Sequence, residues 1–249
     1  MTRSRILITG ASAGLGAAMA RDFAAKGRDL ALCARRLDAL TTLRDELRAT
    51  HPEVTVAVRA LDVDDHTAVP RVFGELRDEL GGLDRVIVNA GIGKGAPVGS
   101  GRADANLATA TTNFVSALAQ AEAALEIFRA QDAGHLVLVS SMSAVRGLPG
   151  KKAAYSASKA GVAALGAALA TELARSPIAV TTLLPGFIAT DMAAKAGDAR
   201  MVAPLDKGVA AMVAAIEQER RRACVPGWPW RLLDFALPHL PDALVARMS

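Results

Sequence analysis

The chain has 249 residues, a length that suits one folded domain with at most a short appendage. Apolar residues make up 51% of it and charged residues 22%, which excludes an intrinsically disordered chain. The net charge of +4 would fit an anionic partner such as nucleic acid, but most basic residues alternate with acidic ones and aromatics amount to only 4%. We therefore expect a solvated surface and no nucleic-acid partner.

Cysteine and histidine usage argue against a disulfide scaffold and a metal site. The two cysteines, Cys33 and Cys224, lack metal-ligand spacing, and the four histidines are far apart in sequence. The longest uncharged stretch, residues 105–121, contains Asn, Thr and Gln and is therefore not predicted to span a membrane. The first residues lack the long apolar segment of a signal peptide. A cytoplasmic protein is the expectation.

Apolar runs alternate with amphipathic segments along the whole chain, without a linker or an internal repeat. The runs are rich in Val, Ile, Leu and Ala and predict strands at residues 5–9, 29–34, 54–61, 85–89, 135–140, 178–184 and 223–225. The segments between them predict helices, as at 37–49, where leucines recur at helical spacing. This alternation predicts one doubly wound α/β domain with a mostly parallel seven-stranded sheet and helices on both faces. Ligands in such sheets bind beyond the carboxyl ends of the strands.

The first strand runs into a glycine-rich turn that opens a helix. It reads Thr9-Gly10-Ala11-Ser12-Ala13-Gly14-Leu15-Gly16. Glycines there permit a tight turn and a close approach of a pyrophosphate to backbone N–H groups. The same letters also match the G-x-S-x-G elbow of α/β hydrolases, with Ser12 as nucleophile. That elbow needs an N–H group from an earlier strand–helix loop for its oxyanion hole, and only one predicted strand precedes Ser12. Dinucleotide binding is therefore favoured, and hydrolysis is kept as an alternative.

The second strand ends in Cys33-Ala34-Arg35-Arg36, without the acidic residue that would bind the 2′-hydroxyl of NAD. Arg35 can instead pair bidentately with a 2′-phosphate, and Arg36 adds positive charge. Cations are unfavourable at a helix N-terminus, which argues that these two have an anionic partner. The sequence therefore predicts NADP(H), with NAD(H) less favoured.

The only tyrosine of the chain, Tyr155, lies four residues before Lys159 in a helical segment after the fifth strand. Residues at i and i+4 share a helix face, so the phenol and the ammonium can point into one cleft. A cation about 4 Å away can supply about 4 kcal/mol, most of what is needed to bring a phenol pKa from about 10 to near neutrality, and an oxidised nicotinamide ring would add positive charge. Tyr155 is therefore predicted to be the acid in carbonyl reduction and the base in the reverse direction.

Taken together, the glycine spacing and the Tyr155-x-x-x-Lys159 pair resemble the short-chain dehydrogenase/reductase (SDR) family. The resemblance implies a Rossmann-type fold with sheet order 3-2-1-4-5-6-7 and a nicotinamide cofactor whose ribose Lys159 holds. It implies that the catalytic serine is Ser141, with Ser143 as the fallback, although Ser141 precedes Tyr155 by fourteen residues where thirteen are expected. It makes Asn113 the catalytic asparagine, which would hold a water that links Lys159 to solvent.

Further cofactor contacts follow from the same resemblance, segment by segment. The segment after the fourth strand matches the family's NNAG sequence, except that Val88 replaces the first Asn. The segments after the third and sixth strands resemble those that meet the adenine and seat the nicotinamide. The predicted cofactor-binding residues outside the first two loops are Asp62, Val63, Asn89, Ala90, Gly91, Tyr155, Lys159, Pro185, Gly186, Ile188 and Thr190.

Residues 1–249 are thus expected to form one NAD(P)-binding domain, with a mobile substrate loop at about 187–207 and a C-terminal extension at about 226–249. The loop is small and apolar, which favours an apolar carbonyl compound or secondary alcohol. The extension carries both tryptophans and is expected to pack on its own core or on a partner subunit, or to contact a membrane surface. The family resemblance implies a homo-oligomer, a dimer or a tetramer. The rival hypothesis is an NADP(H)-sensing protein without turnover.

Overall fold

The computed structural model describes residues 3–190 and 202–246. Its strands form one sheet in the order β3-β2-β1-β4-β5-β6-β7, and every neighbouring pair is parallel. The strands are β1 (Arg5–Thr9), β2 (Asp29–Ala34), β3 (Val56–Ala60), β4 (Arg85–Val88), β5 (Gly134–Val139), β6 (Ile178–Pro185) and β7 (Arg222–Val225). The predicted doubly wound fold and its strand order are confirmed, with strand ends moved by at most two residues.

Helices cover both faces of this sheet. They are α1 (Gly14–Ala24), α2 (Leu37–Thr50), α3 (Ala68–Leu80), α4 (Ala103–Ala110), α5 (Ser116–Gln131), α6 (Ala153–Glu172), α7 (Leu205–Glu217), α8 (Gly227–Ala236) and α9 (Asp242–Val245). One apolar core contains residues of α1, α2 and α7, and a second, on the other face, contains residues of α3, α5 and α6. Because both faces are covered, the strands can be apolar at nearly every position.

The strand order reverses between β1 and β4, and this places the ends of those two strands beside one crevice. The loops after β1, β2, β4, β5 and β6 all open at the carboxyl edge of the sheet, since every strand runs in the same direction. The glycine turn and the segment carrying Tyr155 therefore share this edge, as doubly wound topology requires.

The opposite edge of the sheet holds a buried ion network. The guanidinium of Arg85, at the start of β4, is 1% exposed and forms a salt bridge of 2.6 Å with Glu217, at the end of α7. Glu217 also pairs with Arg28 at 3.1 Å. Arg85 Nε donates to His135 Nδ1 at 2.9 Å, and His135 Nε2 lies 2.8 Å from Thr181 Oγ1. His135 is fully enclosed in this network, and burial keeps its pKa well below the ordinary value.

The C-terminal extension packs partly on the body of the protein. Trp230 on α8 is 4% exposed and lies in a small apolar cluster with Met142 and Leu184. Its ring meets the ring of Phe187 edge-on, with centroids 5.5 Å apart. Trp228 and Phe235 are 77% and 76% exposed. The expected packing on its own core therefore holds for the inner side of the extension.

Most of the predicted substrate loop, residues 191–201, lies outside the described residues. The two flanks of that segment meet in a bridge between Ile188 and Ala203. Ala189 N donates to Ala203 O, and Ala203 N donates to Phe187 O, both at 2.9 Å. In the parts of the chain that the structure describes, no helix is both long and apolar enough to cross a bilayer.

Candidate active site

The glycine turn after β1 is a close-packed cradle that only glycine can build. Gly10 has φ +65°, in the left-handed region. A Cβ on Gly10 would lie 2.8 Å from Ala90 Cα, and one on Gly16 would lie 2.4 Å from Gly10 O. The turn therefore rests directly on the segment that follows β4.

Helix α1 begins in this cradle with its first N–H groups uncapped by side chains. Ala13 occupies the N-cap position and offers no acceptor, and the first turn holds no acidic residue. The first four N–H groups of a helix have no partner within it, and its dipole adds positive potential at that end. Glycines at positions 14 and 16 keep the approach free of side chains. This donor set fits a dinucleotide pyrophosphate.

Asn89 joins the ends of β1 and β4. Its Nδ2 donates to Thr9 O at 2.9 Å, and its backbone N–H donates to Thr9 Oγ1 at 3.0 Å. Ala90 N donates to the same hydroxyl at 3.1 Å. Thr9 was not singled out from the sequence, although a threonine that ends an apolar strand at a binding edge is a usable signal. These bonds fix the floor of the crevice.

The loop after β2 places its two arginines differently. Arg36 Nη2 donates to Ser12 Oγ at 3.0 Å, so this guanidinium lies on the glycine turn. Arg35 is exposed, and in the described parts of the chain no hydrogen bond or ion pair occupies it. Ser12 Oγ, for its part, contacts Arg36, and no histidine or carboxylate of the described residues hydrogen-bonds to it. The hydrolase alternative therefore lacks a general base at Ser12.

After β3, Val63 is buried and Asp62 is exposed. Asp62 Oδ1 accepts a hydrogen bond of 3.2 Å from Asp64 N. Leu61 N donates to Ala34 O at 3.0 Å, which holds this segment against the end of β2. The pair predicted to meet the adenine therefore lies next to the arginine loop.

Tyr155 sits in the first turn of α6, after a 3-10 turn at Gly150–Lys152. The side chain of Ser141 acts on the phenol and lowers its pKa. Ser141 Oγ also accepts from Ser143 N at 3.1 Å, so Ser143 supports Ser141 through its backbone. Ser140 faces the other way and donates to Lys159 O at 2.7 Å. Of the three neighbouring serines, Ser141 is the one whose hydroxyl reaches the phenol.

Lys159 is buried one turn beyond Tyr155, and its Nζ donates to Val139 O at 2.9 Å. Asn113 lies within a π-helical turn, Thr111–Val115, that joins α4 to α5. Its Oδ1 accepts from Ile92 N at 2.8 Å and its Nδ2 donates to Ile92 O at 2.9 Å. A Cβ on Gly91 would lie 3.1 Å from Asn113 Oδ1 and 3.4 Å from Lys159 Nζ. The amide and the ammonium therefore flank the same glycine.

The electrostatics differ from the expectation based on the i,i+4 spacing. Burial raises the pKa of the Tyr155 phenol, and the hydrogen bond with Ser141 opposes that rise. Burial also lowers the pKa of Lys159 to about 8. The expected lowering of the Tyr155 pKa is wrong for this arrangement, because the ammonium is directed at Val139 O and desolvation acts on both groups.

The turn after β6 closes the other side of the crevice. Thr190 Cγ2 lies 3.9 Å from where a Cβ on Gly14 would be, which brings this turn to the start of α1. Ile188 is buried against Gly208. At Gly186, a Cβ would lie 2.0 Å from an indole carbon of Trp230. The packing of Trp230 at this position could not be predicted, because nothing in the sequence of the extension specifies where it docks.

Replacing Lys159 by Met is expected to remove a rise of stability with pH. Between pH 8, near the folded pKa, and the usual 10.5, the unfolded chain holds a proton that the folded chain has released. The free energy of unfolding therefore increases with pH in this window, by about 3 kcal/mol over its full width. Below the window the buried charge destabilises the fold, and above it that penalty is gone. Urea titrations between about pH 7 and pH 10.5 measure this.

The matched control is Lys151→Met, which removes an exposed lysine just before α6. The difference in unfolding free energy between wild type and Lys159→Met should shift in favour of wild type as the pH rises. The corresponding difference for Lys151→Met should stay constant. A Lys159→Met difference that is also constant would contradict a lowered pKa at Lys159.

Comparison with known proteins adds to this geometry. A family model described as short chain dehydrogenase matches residues 4–201. An uncharacterised oxidoreductase of Mycobacterium tuberculosis (strain ATCC 25618 / H37Rv) is 57% identical over 249 residues, 100% of this chain and 98% of that protein. Levodione reductase matches with a TM-score of 0.84 at 25% identity, over 93% of this chain and 99% of its own. An NADPH-dependent 3-quinuclidinone reductase from Rhodotorula rubra matches with a TM-score of 0.79 at 26% identity, over 91% of each chain.

Proposed function

The chain belongs to the short-chain dehydrogenase/reductase family, and from this we propose that it is an NADP(H)-dependent oxidoreductase that interconverts an apolar carbonyl compound and its secondary alcohol. The observation that carries the proposal is that Asn113 and buried Lys159 flank Gly91 beside the glycine cradle, with Tyr155 one helical turn from Lys159 and its phenol under the influence of Ser141. An acid, a hydroxyl donor and a cation there can serve one carbonyl oxygen.

Each residue has a role that follows from its position. A nicotinamide bound in this crevice would supply or accept the hydride. Tyr155 donates its proton to the carbonyl oxygen, and Ser141 hydrogen-bonds to that same oxygen. Burial raises the Tyr155 pKa, so the phenol is protonated at neutral pH, which suits an acid in the reduction direction. Lys159 would hold the ribose hydroxyls, and Asn113 would support the proton path behind it.

The preference for NADP(H) rests on the loop after β2. Because Arg36 is tied to Ser12, it adds charge at the glycine turn, whereas the exposed Arg35 has its guanidinium available for a 2′-phosphate. Replacing Arg35 by Ala is expected to weaken NADPH binding by about tenfold or more and NADH binding by less than about twofold. Titrations that follow the fluorescence of each reduced nicotinamide measure both affinities.

The control for this prediction is Arg36→Ala, which removes a neighbouring cation that is hydrogen-bonded to Ser12. This substitution should weaken the binding of NADPH and NADH to a similar degree, since it disturbs the glycine turn proposed to hold the pyrophosphate. Equal losses of NADPH and NADH affinity in Arg35→Ala would contradict the proposed contact between Arg35 and the 2′-phosphate.

The experiment that tests the proposed function is NADPH oxidation with a panel of apolar ketones. Turnover with at least one ketone supports an enzyme. NADPH binding without turnover on any ketone would favour the NADP(H)-sensing alternative. The Ser141–Tyr155 pair argues against a pure sensor, because binding alone does not need a proton donor placed at the crevice.

We further propose that the chain works as a cytoplasmic homo-oligomer in which the sheet, the substrate loop and the extension form one functional domain. The exposed apolar side chains of the extension, Trp228, Leu232 and Phe235, would then be covered by a second copy of the chain. Of the charged residues on the same helix, Asp234 is paired with Arg222, and Arg231 is exposed. A monomer in sedimentation equilibrium would refute this, and co-sedimentation with anionic vesicles would point to a membrane surface instead.

A further inference from the structure

A hydrogen-bonded cluster lies just outside the proposed active site and has no part in the roles assigned above. Thr112 Oγ1 donates to Asp64 Oδ2 at 2.7 Å, and Ser116 Oγ donates to Asp64 Oδ1 at 2.6 Å. His66 Nε2 lies 3.1 Å from Ser116 Oγ. One carboxylate therefore uses both of its oxygens on hydroxyls from the helix that carries Asn113.

The cluster spans two elements that sequence places far apart. Asp64 and His66 belong to the segment between β3 and α3, which starts with the pair predicted to meet the adenine. Thr112 and Ser116 bracket Asn113 in and just after the π-helical turn. Ser116 is fully buried and Thr112 is nearly so. The carboxylate is thus bonded on both sides of the asparagine.

The trio of Asp64, Ser116 and His66 is not a hydrolytic triad, for two reasons. In such triads the imidazole lies between the acid and the serine, whereas here the serine lies between the acid and the imidazole. Ser116 is also fully buried, so no substrate carbonyl could reach its hydroxyl. The cluster therefore stabilises local structure and is not a second catalytic centre.

What it holds is an uncommon backbone conformation. In the π-helical turn, Ser116 N donates to Thr111 O, five residues back, in place of the usual four. Such turns are rare and need support from outside the helix, and they recur at functional sites. Ser116 Oγ is also 3.1 Å from Thr111 O. The Ser116 side chain, which donates to Asp64, therefore lies beside Thr111 O, the acceptor of the hydrogen bond that defines the π-helical turn.

We infer that Asp64, acting through Thr112 and Ser116, is a positioning residue for Asn113. Its carboxylate holds the π-helical turn so that the Asn113 amide stays on the backbone of Ile92 and beside Lys159. This inference rests on the proposed function for its catalytic consequence, but the structural effect on Ile92 does not depend on it. It also connects the adenine side of the cofactor site to the catalytic asparagine through a single side chain.

The test compares two substitutions of Thr112. Thr112→Val keeps the shape of the side chain and removes the hydroxyl, whereas Thr112→Ser keeps the hydroxyl and removes the methyl group. We expect Thr112→Val to lower kcat about tenfold, with NADPH affinity and ketone KM within about twofold of wild type. Thr112→Ser should keep kcat within about twofold. Asp64→Asn should lower kcat as Thr112→Val does.

A second measurement does not depend on turnover. Because Ile92 N donates to Asn113 Oδ1, its amide hydrogen should exchange about tenfold faster in Thr112→Val and at the wild-type rate in Thr112→Ser. Thr42→Val is the control, since it removes a helical hydroxyl in α2 whose bond goes to Asp38 O. It should leave Ile92 exchange unchanged.

Equal kcat losses in Thr112→Val and Thr112→Ser, or Ile92 exchange unchanged in Thr112→Val, would overturn the inference. A wild-type protein with no ketone turnover would count against the proposed function instead, and Ile92 exchange would still decide the positioning role. A Thr42→Val variant with the same Ile92 effect would show that the loss of a helical threonine hydroxyl elsewhere also speeds this exchange, and would overturn the inference.

Discussion

Tyr155→Phe is expected to bind NADPH with wild-type affinity and to turn over ketones at least about a hundred times more slowly. The substitution removes only the phenol oxygen, the group whose pKa Ser141 lowers. The ring stays, so packing at the start of α6 is preserved. The loss should appear in kcat, because the proton is transferred in the chemical step. Single-turnover oxidation of NADPH measures it directly.

Two serine variants serve as matched controls for this prediction. Ser141→Ala should also lose turnover, since its hydroxyl acts on the phenol and is proposed to hydrogen-bond to the same carbonyl oxygen. Ser143→Ala should keep most of it, because Ser143 supports Ser141 through its backbone N–H and not its hydroxyl. Full activity in Tyr155→Phe would show that Tyr155 is not the acid. A larger loss of turnover in Ser143→Ala than in Ser141→Ala would show that Ser143, not Ser141, is the catalytic serine.

Glu217→Ala is expected to lower the free energy of unfolding by about 3–5 kcal/mol, the usual cost of breaking a buried ion pair. Arg85 is 1% exposed and would keep its charge, with His135 as a neutral neighbour. Burial lowers the Arg85 pKa, and the pair with Glu217 opposes that effect. Removing the carboxylate takes away the main compensation for the desolvation of Arg85 and leaves the weaker attraction of Glu219. Urea denaturation of the variant at neutral pH measures the loss.

The control is Glu172→Ala, which breaks an exposed pair with Arg129 and should cost no more than about 1 kcal/mol. A double variant, Arg85→Met with Glu217→Ala, should be more stable than Glu217→Ala alone, because the orphaned charge is gone. A double variant that is less stable than the single one would mean that Arg85 contributes by packing rather than through its charge.

Much of the fold was predictable because the strands of a parallel sheet that is covered on both faces appear in the sequence as uninterrupted apolar runs. The glycine turn was predictable for a local reason: the positive φ at Gly10 and the contact of Gly16 with Gly10 O exclude other residues. Tyr155 and Lys159 were predictable because helical spacing fixes their relation within one element.

Features that depend on distant elements were not predictable in this way. Arg85 reads as an interruption of an apolar strand, and its partner Glu217 comes from a helix 132 residues later. The π-helical turn around Asn113 depends on Asp64, which lies in a different loop. The pKa of Tyr155 was predicted in the wrong direction, because spacing shows where a lysine lies along the helix but not the desolvation around it.

The contact between Gly186 and Trp230 also constrains the order in which this site can evolve. Any side chain at position 186 would enter the indole ring, so a larger residue there is acceptable only after position 230 has become smaller. The reverse order passes through an intermediate with overlapping atoms, in a cluster with little room to relax. The two positions should therefore show sign epistasis in a combinatorial library, and a new shape for the turn after β6 would first have to arise in the C-terminal extension.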